Sequence, residues 1–197
     1  MDTCGFVTLL ILVAALQSSL QEGYKPELSR SYLANGTQTG KNGTTFPPAK
    51  DMKLLQYDCQ LEAKALTIAK TCTNVTDYDF DHVGNNSILL TGGQFTLWNL
   101  FPTVMTWWNT LFTSDLKDLT PTDMNRGMIP FLQMAFANTT KIGCALHTCS
   151  DNSVSFACKY GNRTVQRDKP IYTSGRPCGT CPTECVFGSL CNTTESI

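Results

Sequence analysis

The sequence predicts an α+β domain in which helices are layered on a hairpin-built antiparallel sheet. Three observations predict it. A stretch after Pro47-Pro48, AKDMKLLQYDCQLEAKALTIAKTC, carries apolar residues at helical spacing. A second, LWNLFPTVMTWWNTLF, does the same around a proline suited to a first helical turn. Near the C-terminal third, a polar turn, CSDNS, joins a short apolar run to SVSFACKY, where apolar and polar residues alternate.

Taken in order, the chain opens on CGFVTLLILVAALQSSL, an apolar run too short to span a bilayer and followed by small residues. Residues 1–20 therefore read as a secretory signal peptide, with cleavage between Ala15 and Gln21, despite the acidic Asp2 in its first region. No later stretch is apolar enough to span a membrane, so the mature protein is expected to be extracellular. Asn-X-Ser/Thr sites at Asn35, Asn42, Asn74, Asn85, Asn138, Asn162 and Asn192 fit that route and place their loops at the surface.

Residues 21–48 are rich in Gly, Thr, Asn and Pro and read as a loop. In the helix that follows, Met52, Leu55, Cys59, Ala63 and Leu66 form one apolar strip, and Leu54, Leu61, Ala65 and Cys72 a neighbouring one. Residues 73–93 read as a long polar loop with a short strand at Ile88–Leu90. In the second helix Val104, Trp107, Trp108 and Leu111 share a spacing; the adjacent tryptophans mark either core or a ligand pocket, core being the simpler reading. Ile142–His147 and Val154–Tyr160 form the hairpin. The tail from Arg176 has four cysteines and little else apolar, so it reads as a disulfide-stapled extension.

Composition narrows function. Hydrophobic residues make up 42% of the chain, enough for a core, and the formal net charge of -1 gives no basic field for nucleic acid. Of the ten cysteines, Cys4 lies in the leader, so nine remain. That density in a secreted chain implies disulfides, and an odd count implies one cysteine outside them. A zinc reading of Cys178, Cys181, Cys185 and Cys191 competes, but an oxidising compartment disfavours it. His82 and His147 are the only imidazoles. Asp77, Asp79 and Asp81 form an acidic loop that lacks the Gly and Glu of a calcium loop. No nucleophile–base pair is evident, so no catalytic residue, metal or cofactor is assigned.

Tyr57-Asp58-Cys59-Gln60-Leu61-Glu62 with Ala69-Lys70-Thr71-Cys72, then Phe131-Leu132-Gln133-Met134-Ala135-Phe136 with Thr139-Thr140-Lys141-Ile142-Gly143-Cys144-Ala145, then Phe156-Ala157-Cys158-Lys159-Tyr160-Gly161-Asn162, together resemble the signatures of the CAP superfamily of cysteine-rich secretory, antigen 5 and pathogenesis-related proteins. The tail is similar to the hinge module of the nematode Ancylostoma-secreted-protein and venom-allergen-like group. The resemblance implies a three-layer α-β-α sandwich over residues 24–172, a Cys-rich extension over 173–197, and a non-enzymatic secreted protein of a parasitic nematode.

Family members often carry a shallow cleft with two His and two Glu that in some binds divalent metal. Against that pattern this sequence has Pro130 at the signature His, Asn85 at the Glu of Gly-Glu-Asn, and Asn109 or Thr110 at the Glu after the tryptophan pair. His82 falls two residues before Gly84, too close to substitute for the first His. A degenerate cleft is expected. Partners implied by the resemblance are a host protein or receptor, or a sterol or fatty acid held near Trp98, Trp107, Trp108 and Phe112. Cys144 and Cys158 lie on adjacent strands facing one core, so their pairing is easy; the resemblance supports it and suggests Cys72 with Cys149. In the tail Cys178–Cys185 and Cys181–Cys191 are expected. Cys59, on the buried face of the first helix, is then the cysteine expected to be unpaired.

Overall fold

The computed structural model describes residues 26–74, 79–80, 84–92, 100–161 and 164–192. Residues 1–20, expected as a signal peptide, and His82, Trp98 and Asn162 lie outside the described residues. Among the described residues no helix is long and apolar enough to cross a membrane.

The elements are α1 (Pro26–Ala34), β1 (Gln56–Tyr57), α2 (Cys59–Ala69), β2 (Asn85–Leu90), α3 (Leu100–Asn109), α4 (Ile129–Ala135), β3 (Lys141–Thr148), β4 (Val154–Tyr160), β5 (Cys185–Val186) and β6 (Leu190–Cys191). Four strands form the main sheet in the order β1-β3-β4-β2, with β1 parallel to β3 and the other pairs antiparallel. Helix α2 packs on one face, and α3 and α4 on the other, so the architecture is the expected α-β-α sandwich.

The hairpin register sets both faces. Cys144 stands opposite Cys158 and Leu146 opposite Phe156, facing α3 and α4; Ala145 opposite Ala157 and His147 opposite Ser155 face α2. The turn is fixed by Asp151, whose carboxylate accepts from the Ser153 amide at 3.0 Å, and by Asn152 in the left-handed region at φ 62°. The alternation in β4 predicts a half-buried strand, yet six of its seven residues are buried. Its two buried positions on the other side, Ser155 and Ala157, are small, and α2 covers them.

Three departures from the sequence reading have local causes. Residues 26–34, read as loop, form α1: Pro26 opens it, and Gly36 at φ 73° ends it in a Schellman motif, with Gly36 N–H to Leu33 O at 3.0 Å and Thr37 N–H to Tyr32 O at 3.1 Å. The helix expected after Pro48 starts only at Cys59, because Asp58 caps it, accepting from Gln60 N–H at 2.9 Å and Leu61 N–H at 3.0 Å. Before that cap the chain is drawn into the sheet as β1. Its buried strip is accordingly Leu61, Glu62, Ala65 and Ala69, while Cys59 and Ala63 are exposed. Finally, Cys59 is disulfide-bonded, which overturns its assignment as the unpaired cysteine.

The bridges Cys72–Cys149, Cys144–Cys158, Cys178–Cys185 and Cys181–Cys191 are present. The last two engage all four tail cysteines, so the zinc alternative falls. Nor does the tail hang off the domain. Leu190 is fully buried in the main core, Leu54 N–H bonds Cys191 O at 2.9 Å, and Ser189 Oγ meets Ser31 Oγ at 2.7 Å.

One buried charge locks α1 to this frame. Arg30 is 1% exposed and donates to the carbonyls of Met134 and Phe136 at the C-terminal end of α4 and, through Nη2 at 2.6 Å, to that of Lys53. Burial lowers its pKa to about 10, which leaves it charged at neutral pH. Those carbonyls terminate α4 and the pre-β1 segment, so one side chain satisfies main-chain acceptors that no ladder reaches.

Candidate functional site

The cleft positions sit where the start of β2 meets the N-terminus of α4. Gly84 at φ 111° leads into the edge strand, and a Cβ there would stand 3.2 Å from Lys159 Nζ and 3.0 Å from Thr164 Cγ2. The positive φ is what calls for glycine there. Asn85, the residue in the family's Glu position, is half-buried and lies opposite Lys159 in the register.

The next residue, Asn86, is fully buried and points the other way. Its Nδ2 donates to Pro130 O at 3.1 Å and to Tyr160 Oη at 3.1 Å. Pro130 contributes no side-chain ligand; its ring suits the first turn of α4, where an N–H would be spare. The amide after it is satisfied from α3's side: Thr110 Oγ1 accepts from Phe131 N–H at 3.1 Å and donates to Trp107 O at 2.8 Å. Asn109 is exposed.

The structure thus brings Pro130, Asn86 and Thr110 together as ties that hold the start of α4 to β2 and to the end of α3. Sequence reading assigned Asn85, Pro130 and Thr110 to the cleft but missed Asn86, although the third residue of Gly84-Asn85-Asn86 keeps the family's Asn. A transition-metal site is built from imidazole, thiolate or carboxylate donors, whereas this set offers neutral groups: the Asn86 Nδ2 and Thr110 Oγ1 are engaged, and only the buried Asn86 Oδ1 is without a hydrogen-bond partner. Among the described residues a cationic side chain, Lys159, reaches the Gly84 backbone. Lys159 is held below the ordinary lysine range by burial and then by Lys64.

The remaining acid and imidazole lie across the sheet. His147 is half-buried opposite Ser155 on the α2 face. Glu62 accepts from Tyr57 Oη at 2.7 Å, while Tyr57 Oη accepts from Cys144 N–H at 3.4 Å. Burial first, and the Glu62 hydrogen bond second, push the Tyr57 phenol well above its ordinary range. That arrangement pins α2 to β3 through Glu62 Oε2.

The aromatic residues named for a lipid groove divide. Trp107 is 4% exposed and stacks on Phe156 with centroids 5.2 Å apart. Trp108 is 3% exposed, meets Phe131 edge-on at 5.0 Å, and donates from Nε1 to Gln38 Oε1 at 3.1 Å. Both are core, and the Trp108 indole N–H is engaged. Phe112 is exposed at the end of the same segment. Next to it an open cleft of about 300 Å³ runs between the Gly40–Pro47 loop and residues 111–119. Phe46, Leu111 and Leu119 form its floor, and Lys41, Lys117 and Asp118 stand on its rim. Lys41 Nζ reaches Thr113 O at 3.4 Å across it.

Of the sequon residues, Asn35, Asn42, Asn74 and Asn138 are exposed, and Asn85 and Asn192 are half-buried. The turn bearing Asn42 forms one wall of the cleft whose other wall carries Lys117, so a glycan there would border a face expected to be bare.

The comparisons agree with this architecture. The chain is 29% identical over 180 residues to Scoloptoxin SSD976 of Scolopendra dehaani, covering 83% of this chain and 78% of that protein. It is 29% identical over 177 residues to Ancylostoma secreted protein of Ancylostoma caninum, covering 85% of this chain and 41% of the relative. The solved structure of Na-ASP-1 superimposes with a TM-score of 0.72 at 26% identity, over 83% of this chain and 44% of that one. The chain therefore spans less than half the length of the latter two. Residues 30–160 match the model of the cysteine-rich secretory protein family, CAP. The chain belongs to the CAP family.

Proposed function

We propose that this chain is a secreted, glycosylated CAP protein of a parasitic nematode that works through its surface on a protein of the host, and that it is not an enzyme. The observation that carries the reading is the state of the cleft. Pro130, Asn86 and Thr110 make hydrogen bonds that fasten α4, and among the described residues no group of three or more His, Cys, Asp or Glu could hold a metal. The kinship with Ancylostoma secreted protein supports secretion. Exposed Lys117 on the cleft rim and Arg176 at the start of the tail mark the faces offered for docking.

Isothermal titration with Zn2+ should show no stoichiometric binding. Binding abolished by substituting His82 or His147 would overturn the metal-free reading. Charge reversal at Lys117 or Arg176 should weaken binding to host leukocytes by about tenfold, or about 1.4 kcal/mol. Removing the Asn85 sequon should leave it unchanged.

The apolar floor of the 300 Å³ cleft favours a second reading, a carrier of a small amphiphile. Lipid extraction from protein made in a eukaryotic secretory host separates the two. Stoichiometric sterol or fatty acid, with no binding to host cells or serum proteins, replaces the effector reading with the carrier reading.

A further inference from the structure

We infer that Tyr32 is a docking platform for the first sugar of an N-linked glycan on Asn35, so that this sequon, unlike the others described, is built into the fold. The inference rests on the secretory part of the reading above and not on any host partner.

Tyr32, Asn35 and Thr37 occupy three defined places in the Schellman motif that ends α1. Tyr32 is the third residue from the helix end, Asn35 the C-cap, and Thr37 the residue beyond Gly36. The motif closes on Tyr32 twice, since its carbonyl accepts both the Thr37 amide at 3.1 Å and the Thr37 hydroxyl at 3.0 Å. Asn35 N–H in turn bonds Ser31 O at 2.9 Å, keeping the last turn helical through the sequon. Residues three apart on a helix share a face, so the Tyr32 ring and the Asn35 amide rise side by side. Gly36 at φ 73° turns the chain so that Thr37 closes on Tyr32.

Exposure singles this site out. Tyr32 is 50% exposed, an aromatic ring left in water at the end of a helix whose neighbours Ser31, Leu33 and Ala34 are buried. Two other sequons have an aromatic residue two positions upstream, Phe136 before Asn138 and Tyr160 before Asn162, but those rings are 8% and 2% exposed and belong to the core. The remaining sequons have no aromatic residue two or three positions before the asparagine. A pyranose presents a face of C–H bonds that packs on the electron-rich face of an aromatic ring, removing both from water. N-acetylglucosamine on Asn35 would therefore cover the ring that the protein leaves bare. In the covalent step the Asn35 amide nitrogen bonds C1 of the sugar, loses one proton, and displaces the pyrophosphate of a lipid-linked donor supplied by the secretory pathway.

The test is a double-mutant cycle on protein secreted by a eukaryotic host. Peptide mapping after enzymatic glycan release should find Asn35 converted to aspartate. Asn35→Gln should lower Tm by about 2–4 °C, the shift expected for one aromatic contact in a domain of this size. In the Tyr32→Ala background the same substitution should change Tm by less than about 1 °C. Trimming every glycan to a single N-acetylglucosamine should keep the wild-type Tm, and the protons of that sugar should show ring-current shifts that vanish in Tyr32→Ala. Equal Tm losses in both backgrounds would overturn the inference. An unmodified Asn35 among otherwise occupied sequons overturns it alone, whereas a wholly unglycosylated protein overturns the secretory reading with it.

Discussion

The two faces of the central sheet are buried by opposite means. On the α3/α4 face the sheet offers Phe156 and Tyr160, and the helices answer with Trp107, Trp108 and Phe131. On the α2 face it offers Gly143, Ala145, Ala157, Ser155 and Ser87, and α2 answers with Ala65 and Ala69 beside Leu61 and Glu62. Large side chains fill a gap on one side; their near-absence lets a helix backbone lie on the strands on the other. The contrast teaches that burial does not fix which substitution hurts. Deleting volume should damage the first face, and adding volume the second.

The largest expected effect is on the aromatic face. Trp107→Ala removes the ring stacked on Phe156 and should cost about 3–5 kcal/mol, read as a lowered urea midpoint with unchanged slope. The sequon-bearing turns should stay native in that variant. A loss below about 1 kcal/mol would mean the face collapses around the gap, and that its side chains are interchangeable filler.

On the α2 face the sign of the volume change reverses. A Cβ on Gly143 would stand 2.1 Å from Glu62 N and 2.5 Å from Leu61 C, both main-chain atoms that cannot rotate away. Gly143→Ala should therefore push α2 off the sheet and cost about 1–3 kcal/mol, although it adds a single methyl and improves strand propensity. Because Tyr57 Oη joins Glu62 to Cys144 across this contact, the displacement should also appear as a changed tyrosine environment in near-ultraviolet circular dichroism. A neutral Gly143→Ala would break the comparison.

These faces differ in how plainly they were written. Strand alternation and helical spacing located β3, β4 and α3, because large apolar residues at period 2 or 3.6 report burial directly. The α2 face left no such mark. Alanine, glycine and serine look like solvent positions in an alternating strand, so β4 read as half-buried when a helix covers it. The same ambiguity misplaced the α2 strip onto Cys59 and Ala63, which are exposed. Helix α1 was legible in principle, with Pro26 at its start and Gly36 past its end, but the surrounding Gly, Thr and Asn outweighed those two signals. At the cleft, residue types at Pro130 and Asn85 were enough to expect lost metal chemistry. That Asn86 and Thr110 instead fasten α4 could not be read, because the Pro130 carbonyl and the Phe131 amide they bond come near only through the fold.

The smallest effect tests the edge of the α2 face, where helix and sheet are joined by a cap and not by packing. Asp58 Oδ1 accepts from two amides of the first turn of α2, and its Oδ2 lies 3.4 Å from Lys141 Nζ on β3. The Leu61 amide first, and Lys141 after it, hold the Asp58 carboxyl below the ordinary aspartate value of 3.8. The ion pair is solvent-screened and adds little, so the cap dominates, and Asp58→Ala should cost about 1 kcal/mol at neutral pH. A depressed pKa means the folded state binds the proton less readily than the unfolded chain. The contribution is thus complete above the unfolded value and fades as pH falls through the folded one. Wild type and Asp58→Ala should therefore differ by a constant amount from pH 7 down to about pH 5 and converge as pH falls below about 4. Denaturant midpoints of both proteins across that range measure the gap. A gap that persisted undiminished at pH 2 would mean that Asp58 acts through packing, and that this edge of α2 is held as the Gly143 contact is, by shape.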